Sequence, residues 1–79
     1  MFTPKQFRAK AERLIREANY GRVDPATVTF SWSGFMGRTV VGPTGYAFRS
    51  ASVQAKAPGF RTYTFIVTSN PDGSDMMAR

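Results

Sequence analysis

Apolar residues near the start of the chain recur every three or four positions, the spacing of one helix face. They are Phe7, Ala11, Leu14, Ile15 and Ala18. This stripe predicts an amphipathic helix over residues 4–19 that lies on a core. Thr3, Pro4 and Gln6 stand where a capping box begins a helix. Gly21 suits the left-handed residue that often ends one.

After the helix the pattern changes to strict alternation, which is typical of half-buried strands. Two alternating segments, 27–33 and 61–68, are predicted strands. Their inward residues would be Val28, Phe30 and Trp32 in the first and Tyr63, Phe65 and Val67 in the second. Segments 38–41 and 46–55 are further candidate strands. Pro58 and Gly59 fit the centre of a type II turn that would join the long candidate strand to the last one.

The long candidate strand has one irregularity. Ala47, Ala51, Val53 and Ala55 share one face, whereas Phe48 falls on the other. A bulge near Arg49 would bring them together.

The predicted architecture is α+β: an N-terminal amphipathic helix packed on a three- to four-stranded antiparallel β-meander. Residues 1–69 would form one domain, and the turn-rich residues 70–79 would form a flexible C-terminal tail. The sheet face away from the helix carries hydroxyl side chains and can face water.

Composition argues against catalysis. The chain has 79 residues, no cysteine and no histidine, so the commonest metal ligands and the commonest general base are missing. Its five carboxylates are spread over the helix, the helix exit and the last residues. We therefore expect no enzyme activity, no metal and no cofactor. With no apolar run long enough to span a bilayer and no signal peptide, a cytoplasmic protein without a membrane partner is expected.

Charge indicates a polyanionic partner. The net charge is +6, and no acidic residue lies between residues 25 and 71. The leading hypothesis is a non-catalytic protein that binds nucleic acid or a nucleoprotein through Arg38, Arg49, Lys56 and Arg61. Helix cations would assist: Arg8, Arg13 and Arg16. About five phosphate contacts would give a slope near −4 to −5 for log K against log salt.

A glycine-rich loop between the first two predicted strands supports a second hypothesis. Phe35 and Met36 stand at its tip beside Arg38, a combination typical of hot spots for a protein partner. The alternative is that one of them folds back to close the end of a small core. Both interpretations stay open at this point.

In its size and simple plan the chain resembles small phage-encoded accessory proteins, including anti-CRISPR inhibitors of host defence complexes. The resemblance implies an inhibitor or adaptor that acts by protein–protein binding. Inhibitors that mimic DNA are strongly acidic, whereas this chain is basic. Its partner would therefore be an acidic protein surface or a nucleoprotein. A third possibility is a virion or complex subunit, including a homo-oligomer, since so small a core gains from assembly.

Overall fold

A computed structural model describes residues 1–19 and 22–79 of the chain. Helix α1 spans Pro4–Ala18 and begins as its sequence predicts. The Thr3 hydroxyl accepts a hydrogen bond from the Gln6 backbone N–H at 3.1 Å, and the Gln6 side chain accepts one from the Thr3 N–H at 2.8 Å. This reciprocal pair is the capping box, which provides acceptors for backbone donors that a helix start leaves unpaired. The predicted cap at Gly21 lies outside the described residues; among those described, Asn19 is the left-handed C-cap.

Five antiparallel strands follow the helix, so the α+β prediction is confirmed, with five strands instead of the three or four expected. A short 3₁₀ turn at Pro25–Thr27 precedes them. The strands are β1 Thr29–Ser33, β2 Thr39–Val41, β3 Ala47–Lys56, β4 Tyr63–Ser69 and β5 Met77–Ala78.

The ten-residue strand β3 organises the sheet. It pairs with β4 along one side, and β1 and β2 share its other side end to end. Trp32 of β1 lies opposite Val53, whereas Val40 of β2 lies opposite Phe48. Consecutive strands β1 and β2 therefore do not pair with each other, as they would in a simple meander, because β3 is long enough to hold both.

The core lies between α1 and one face of this sheet. Three helix residues, Phe7, Ala11 and Ile15, are buried, and they face buried side chains of β3 and β4. Those side chains are Ala51, Val53, Ala55 and Val67. Alanine side chains on the inward face of β3 allow the helix backbone to approach the sheet closely, while Phe7 meets Trp32 edge-on at 6.4 Å between ring centroids.

The bulge expected near Arg49 is absent. Pairing runs without interruption from Ala47 to Arg49 along β2 and from Arg49 to Ala55 along β4. Strand alternation therefore turns Arg49 toward the helix side and Phe48 away from it. The prediction of a bulge is wrong: Phe48 lies on the opposite sheet face, so no bulge is needed to bring it onto the face of Ala47 and Ala51.

Part of the segment expected to be a flexible tail forms the last strand. Met77 lies opposite Thr68 in the pairing of β5 with β4, and the backbones of Ile66 and Arg79 exchange two hydrogen bonds of 3.0 Å. Residues 70–76 form the turn between these strands. The flexibility of residues 70–79 stays a prediction, which backbone hydrogen exchange would measure.

Candidate functional site

Arg49, one of the cations predicted to bind a partner, lies inside the protein. Its side chain is only 8 % exposed. The guanidinium donates hydrogen bonds to three backbone carbonyls: Pro71 at 2.8 Å, Gly37 at 2.8 Å and Phe2 at 2.6 Å. These acceptors belong to three distant segments of the chain. Arg49 therefore joins the N-terminal segment, the loop after β1 and the turn after β4, and it is not presented to a partner.

Two of the predicted helix cations also donate hydrogen bonds to backbone carbonyls of the protein itself. Arg8 donates to the Met36 carbonyl at 2.7 Å, and Arg16 donates to the carbonyls of Pro25 and Val28 at 3.3 and 3.2 Å. The Arg16 guanidinium also lies 4.9 Å from the centroid of the Phe30 ring. These contacts attach α1 to the loops at both ends of β1. Arg8 and Arg16 therefore have a structural role.

The remaining predicted cations are exposed, but they do not gather on one surface. Arg13 is on the helix and lies 4.0 Å from Glu17. Arg38 precedes β2, whereas Lys56 ends β3 and Arg61 lies in the β3–β4 turn. Thr39 lies opposite Arg49 and the Gly37 N–H donates to the Ser50 carbonyl, so Arg38 lies beside residue 50 of β3. At about 3.3 Å per residue, the distance along β3 from there to Lys56 is roughly 20 Å. The structure thus places Arg38 between β1 and β2, near the middle of β3, and Lys56 with Arg61 at one end of the sheet.

The loop residues predicted as a protein-binding hot spot differ in exposure. Phe35 is 53 % exposed, whereas Met36 is partly buried and adopts a left-handed backbone with φ 60°. The Met36 carbonyl is held by Arg8, as described above. Of the two alternatives, Phe35 fits a solvent-facing contact residue and Met36 serves partly as packing for the loop.

The sheet face turned away from α1, here called the outer face, includes side chains from all five strands. Register and alternation place hydroxyl and amide side chains over most of it. These are Thr29, Ser31, Ser33, Ser50, Ser52, Gln54, Thr64 and Thr68. No helix covers this face among the described residues, as expected for a surface of polar side chains.

Apolar side chains occupy part of the outer face, from Phe48 near one end to Ile66 opposite Ser52 near the middle. We call the following residues the outer-face apolar patch: Val40, Tyr46, Phe48, Ile66 and Met77. Tyr46, Ile66 and Met77 are 59 %, 50 % and 45 % exposed. The rings of Tyr46 and Phe48 stack with centroids 6.1 Å apart. Uncovered apolar side chains in one cluster are typical of surfaces that bind another molecule.

Sequence reasoning missed this patch. The alternation of β4 did place Ile66 outward, since Tyr63, Phe65 and Val67 were predicted inward. Met77 could not be placed, because it lies in the segment expected to be a flexible tail. Phe48 was moved to the wrong face by the expected bulge. The sequence did not indicate how β5 pairs with β4, and that pairing is what places Met77 on the outer face.

The turn between β4 and β5 contains an aspartate with a perturbed pKa. The Ser74 hydroxyl donates to the Asp72 carboxylate at 2.6 Å and the Ser74 N–H donates at 3.0 Å. Both bonds favour the charged form, so they lower the pKa of Asp72 below the usual aspartate value. Because the folded pKa is depressed, this carboxylate stabilises the turn above the unfolded pKa, and that contribution is lost as pH falls through the folded pKa.

We expect Ser74→Ala to raise the pKa of Asp72 toward the usual value, because the substitution removes the stronger of the two hydrogen bonds. An NMR titration of the Asp72 side-chain carbonyl carbon measures this directly. Ser31→Ala, on the hydroxyl-rich outer face, is the control and should leave the titration unchanged. An unchanged Asp72 pKa in Ser74→Ala would contradict the assigned cause.

Comparison with known proteins finds no family model, no curated protein and no solved structure that matches the chain. No α-helix within residues 1–19 and 22–79 has both the length and the apolar character needed to cross a membrane. Within the same residues, no three acidic side chains are close enough together to form a metal site.

Proposed function

We propose that this protein is a non-catalytic binding module that docks on another protein through its outer face. The observation that carries the proposal is the outer-face apolar patch, in which Tyr46, Ile66 and Met77 are each about half exposed or more. Burying such a cluster against a partner releases water from apolar surface, a favourable step in most protein association. An aromatic residue among aliphatic ones is also typical of binding hot spots.

The chemistry of the patch favours a protein over a nucleic acid. Isoleucine and methionine offer no hydrogen bond to a base edge and no charge to a phosphate. The cations that a nucleic-acid site would need are either far apart on the sheet or bound to backbone carbonyls. The net charge of +6 still favours a partner whose surface around the contact is acidic.

Absence of catalysis is part of the proposal. Its support is the lack of any histidine or cysteine in the sequence and the distribution of the five carboxylates over the helix, its exit and the β4–β5 turn. Within this class, an inhibitor or adaptor of a larger complex is the role we favour, since such proteins need only one binding surface. A virion or complex subunit would use the same surface permanently.

Nucleic-acid binding remains the second candidate because strands β1 to β4 carry no acidic residue, while Lys56 and Arg61 lie near each other at one end of the sheet. With two or three phosphate contacts, log K should fall against log salt with a slope of roughly −2 to −3. That slope is shallower than the sequence alone predicts.

The test is affinity capture from the native host with the wild type and with the double variant Ile66→Thr, Met77→Gln. Both substitutions keep the charge of the chain and remove apolar surface. We expect retention of a protein partner to fall at least tenfold, about 1.4 kcal/mol, because the variant removes two central contact residues. Nuclease treatment should leave the wild-type result unchanged.

The matched control is Ser31→Ala, Gln54→Ala, which lies on the same face outside the patch and should retain the partner. Circular dichroism melting confirms that each variant is folded. Equal retention by the patch variant and the control, or loss of retention on nuclease treatment, would contradict the proposal. Nuclease-sensitive retention that depends on Lys56 and Arg61 would support the second candidate.

A further inference from the structure

An open cleft lies at the edge of the outer-face apolar patch. Its volume is about 370 Å³, and it is lined by residues of β3, β4, β5 and the turns before β3 and after β4. They are Tyr46, Phe48, Thr68, Ser69, Asn70, Asp75 and Met77. We call it the Tyr46 cleft. It combines two stacked aromatic rings with one carboxylate, on a chain that is otherwise strongly basic.

Hydrogen bonds hold the polar side of the Tyr46 cleft in place. The Tyr46 hydroxyl donates to the Asn70 side-chain oxygen at 2.8 Å. The Asn70 amide nitrogen donates to Asp75 Oδ2 at 3.1 Å and to Ser74 Oγ at 3.0 Å. The aromatic ring and the carboxylate are thus linked through one amide. A ligand would meet them already oriented, so it would not have to order them on binding.

Asp75 is the one charged residue among those that line the Tyr46 cleft. Asp72 and Asp75 both lie in the β4–β5 turn, and Asp75 is exposed. Two cations of the chain lie nearby. Lys10 donates to the Gly73 carbonyl at 2.6 Å, and the Arg79 guanidinium lies 3.6 Å from the Met77 sulfur. Neither of these residues lines the cleft.

A positively charged planar group matches this chemistry. The face of an aromatic ring attracts cations, and a carboxylate accepts their hydrogen bonds. A guanidinium does both, because it stacks flat on a ring and directs its N–H groups outward in the same plane. An ammonium group, more strongly hydrated and without a flat face, uses the rings less well.

We propose that the Tyr46 cleft receives an arginine side chain of a protein partner. This inference rests on the proposed function, since it assigns one contact within the same docking surface. The arginine stacks on Tyr46, its guanidinium bonds to the Asp75 carboxylate, and its aliphatic stem lies along Met77. The partner is then a protein that presents an arginine beside apolar residues.

The test uses a small probe and needs no partner. Isotope-labelled protein is titrated with N-acetyl-arginine methylamide and, separately, with its uncharged isostere N-acetyl-citrulline methylamide, and NMR shifts are recorded. We expect saturable shifts at Tyr46, Phe48, Thr68 and Asp75. The arginine probe should bind about two- to fivefold more tightly than the citrulline probe, because only it is attracted by the ring and the carboxylate.

Asp75→Asn should lower affinity for the arginine probe by about two- to fivefold and leave the citrulline probe unaffected. Asparagine suits this position because Asp75 has φ 53°, a conformation that asparagine tolerates well. Asp24→Asn is the matched control, since it removes the same charge at a distant 3₁₀ turn whose cap asparagine can also form. It should bind both probes as the wild type does.

Equal binding of the two probes, shifts located away from the cleft, or equal losses in Asp75→Asn and Asp24→Asn would overturn the inference. This outcome is distinguishable from failure of the proposed function. If a partner is captured through Ile66 and Met77 while the arginine probe does not bind, only the arginine site is wrong. If the arginine probe binds but the Ile66→Thr, Met77→Gln variant retains the partner as the wild type does, only the wider docking surface is wrong.

Discussion

Arg49→Lys should lower the free energy of unfolding by about 2–4 kcal/mol, as measured by urea denaturation. The guanidinium reaches the carbonyls of Phe2, Gly37 and Pro71 at the same time. A lysine ammonium sits at a single point on a flexible stem and lacks the planar fork that serves three acceptors in different directions. Each buried carbonyl left without a donor costs about 1–3 kcal/mol.

Arg49→Ala should be worse, because it leaves all three carbonyls without the guanidinium and opens a cavity where the side chain was. For a domain of this size, with net stability of about 3–5 kcal/mol, we expect an unfolded protein. The control is Arg61→Lys, an exposed position expected to change stability by less than about 0.5 kcal/mol. If Arg49→Lys and Arg61→Lys unfold at the same urea concentration, the structural role assigned to Arg49 is wrong.

Gly37→Ala should be destabilising by about 2–4 kcal/mol. Gly37 has φ 91°, in the region that favours glycine, and a Cβ at this position would lie 2.5 Å from Cδ1 of the Phe7 ring. Phe7 is fully buried at the centre of the core, so its ring has little room to move. The alanine therefore adds overpacking to backbone strain.

Gly45→Ala separates these two effects. Gly45 has a similar φ of 83°, but no atom lies within 4 Å of a Cβ built there. We expect a loss of about 1–2 kcal/mol from the backbone conformation alone. The difference between the two alanine variants then measures the collision with Phe7. Equal losses would show that the ring yields and that the packing of α1 against this loop is loose.

Local sequence determined the helix and the main strands. The capping box at Thr3 and Gln6 and the apolar stripe through Phe7, Ala11 and Ile15 depend only on residues within a few positions of each other. The Pro58–Gly59 turn is equally local: Gly59 has φ 78° and the Phe60 N–H donates to the Ala57 carbonyl. Such features can be read from a sequence because their physical causes lie within one short segment.

The candidate site was less accessible to sequence reasoning. Phe35 could be placed at an exposed loop, and Ile66 could be placed outward by alternation. The cations could not be assigned, because their acceptors lie far away along the chain: Arg49 bonds to a carbonyl 47 positions away and Arg8 to one 28 positions away. A charge count treats every arginine as available for a partner. Four of the predicted arginines donate hydrogen bonds to backbone carbonyls instead: Arg8, Arg16, Arg38 and Arg49.

By itself, then, the sequence determined an α+β protein with one capped helix, alternating strands and no imidazole or thiol. Tertiary structure alone decided that Arg49 turns inward, that β1 and β2 share one side of β3, and that residues 77–78 return to pair with β4. The physical reason is the range of the interactions: backbone geometry and capping act between neighbours, whereas pairing partners and carbonyl acceptors are supplied by segments that meet only in the folded chain.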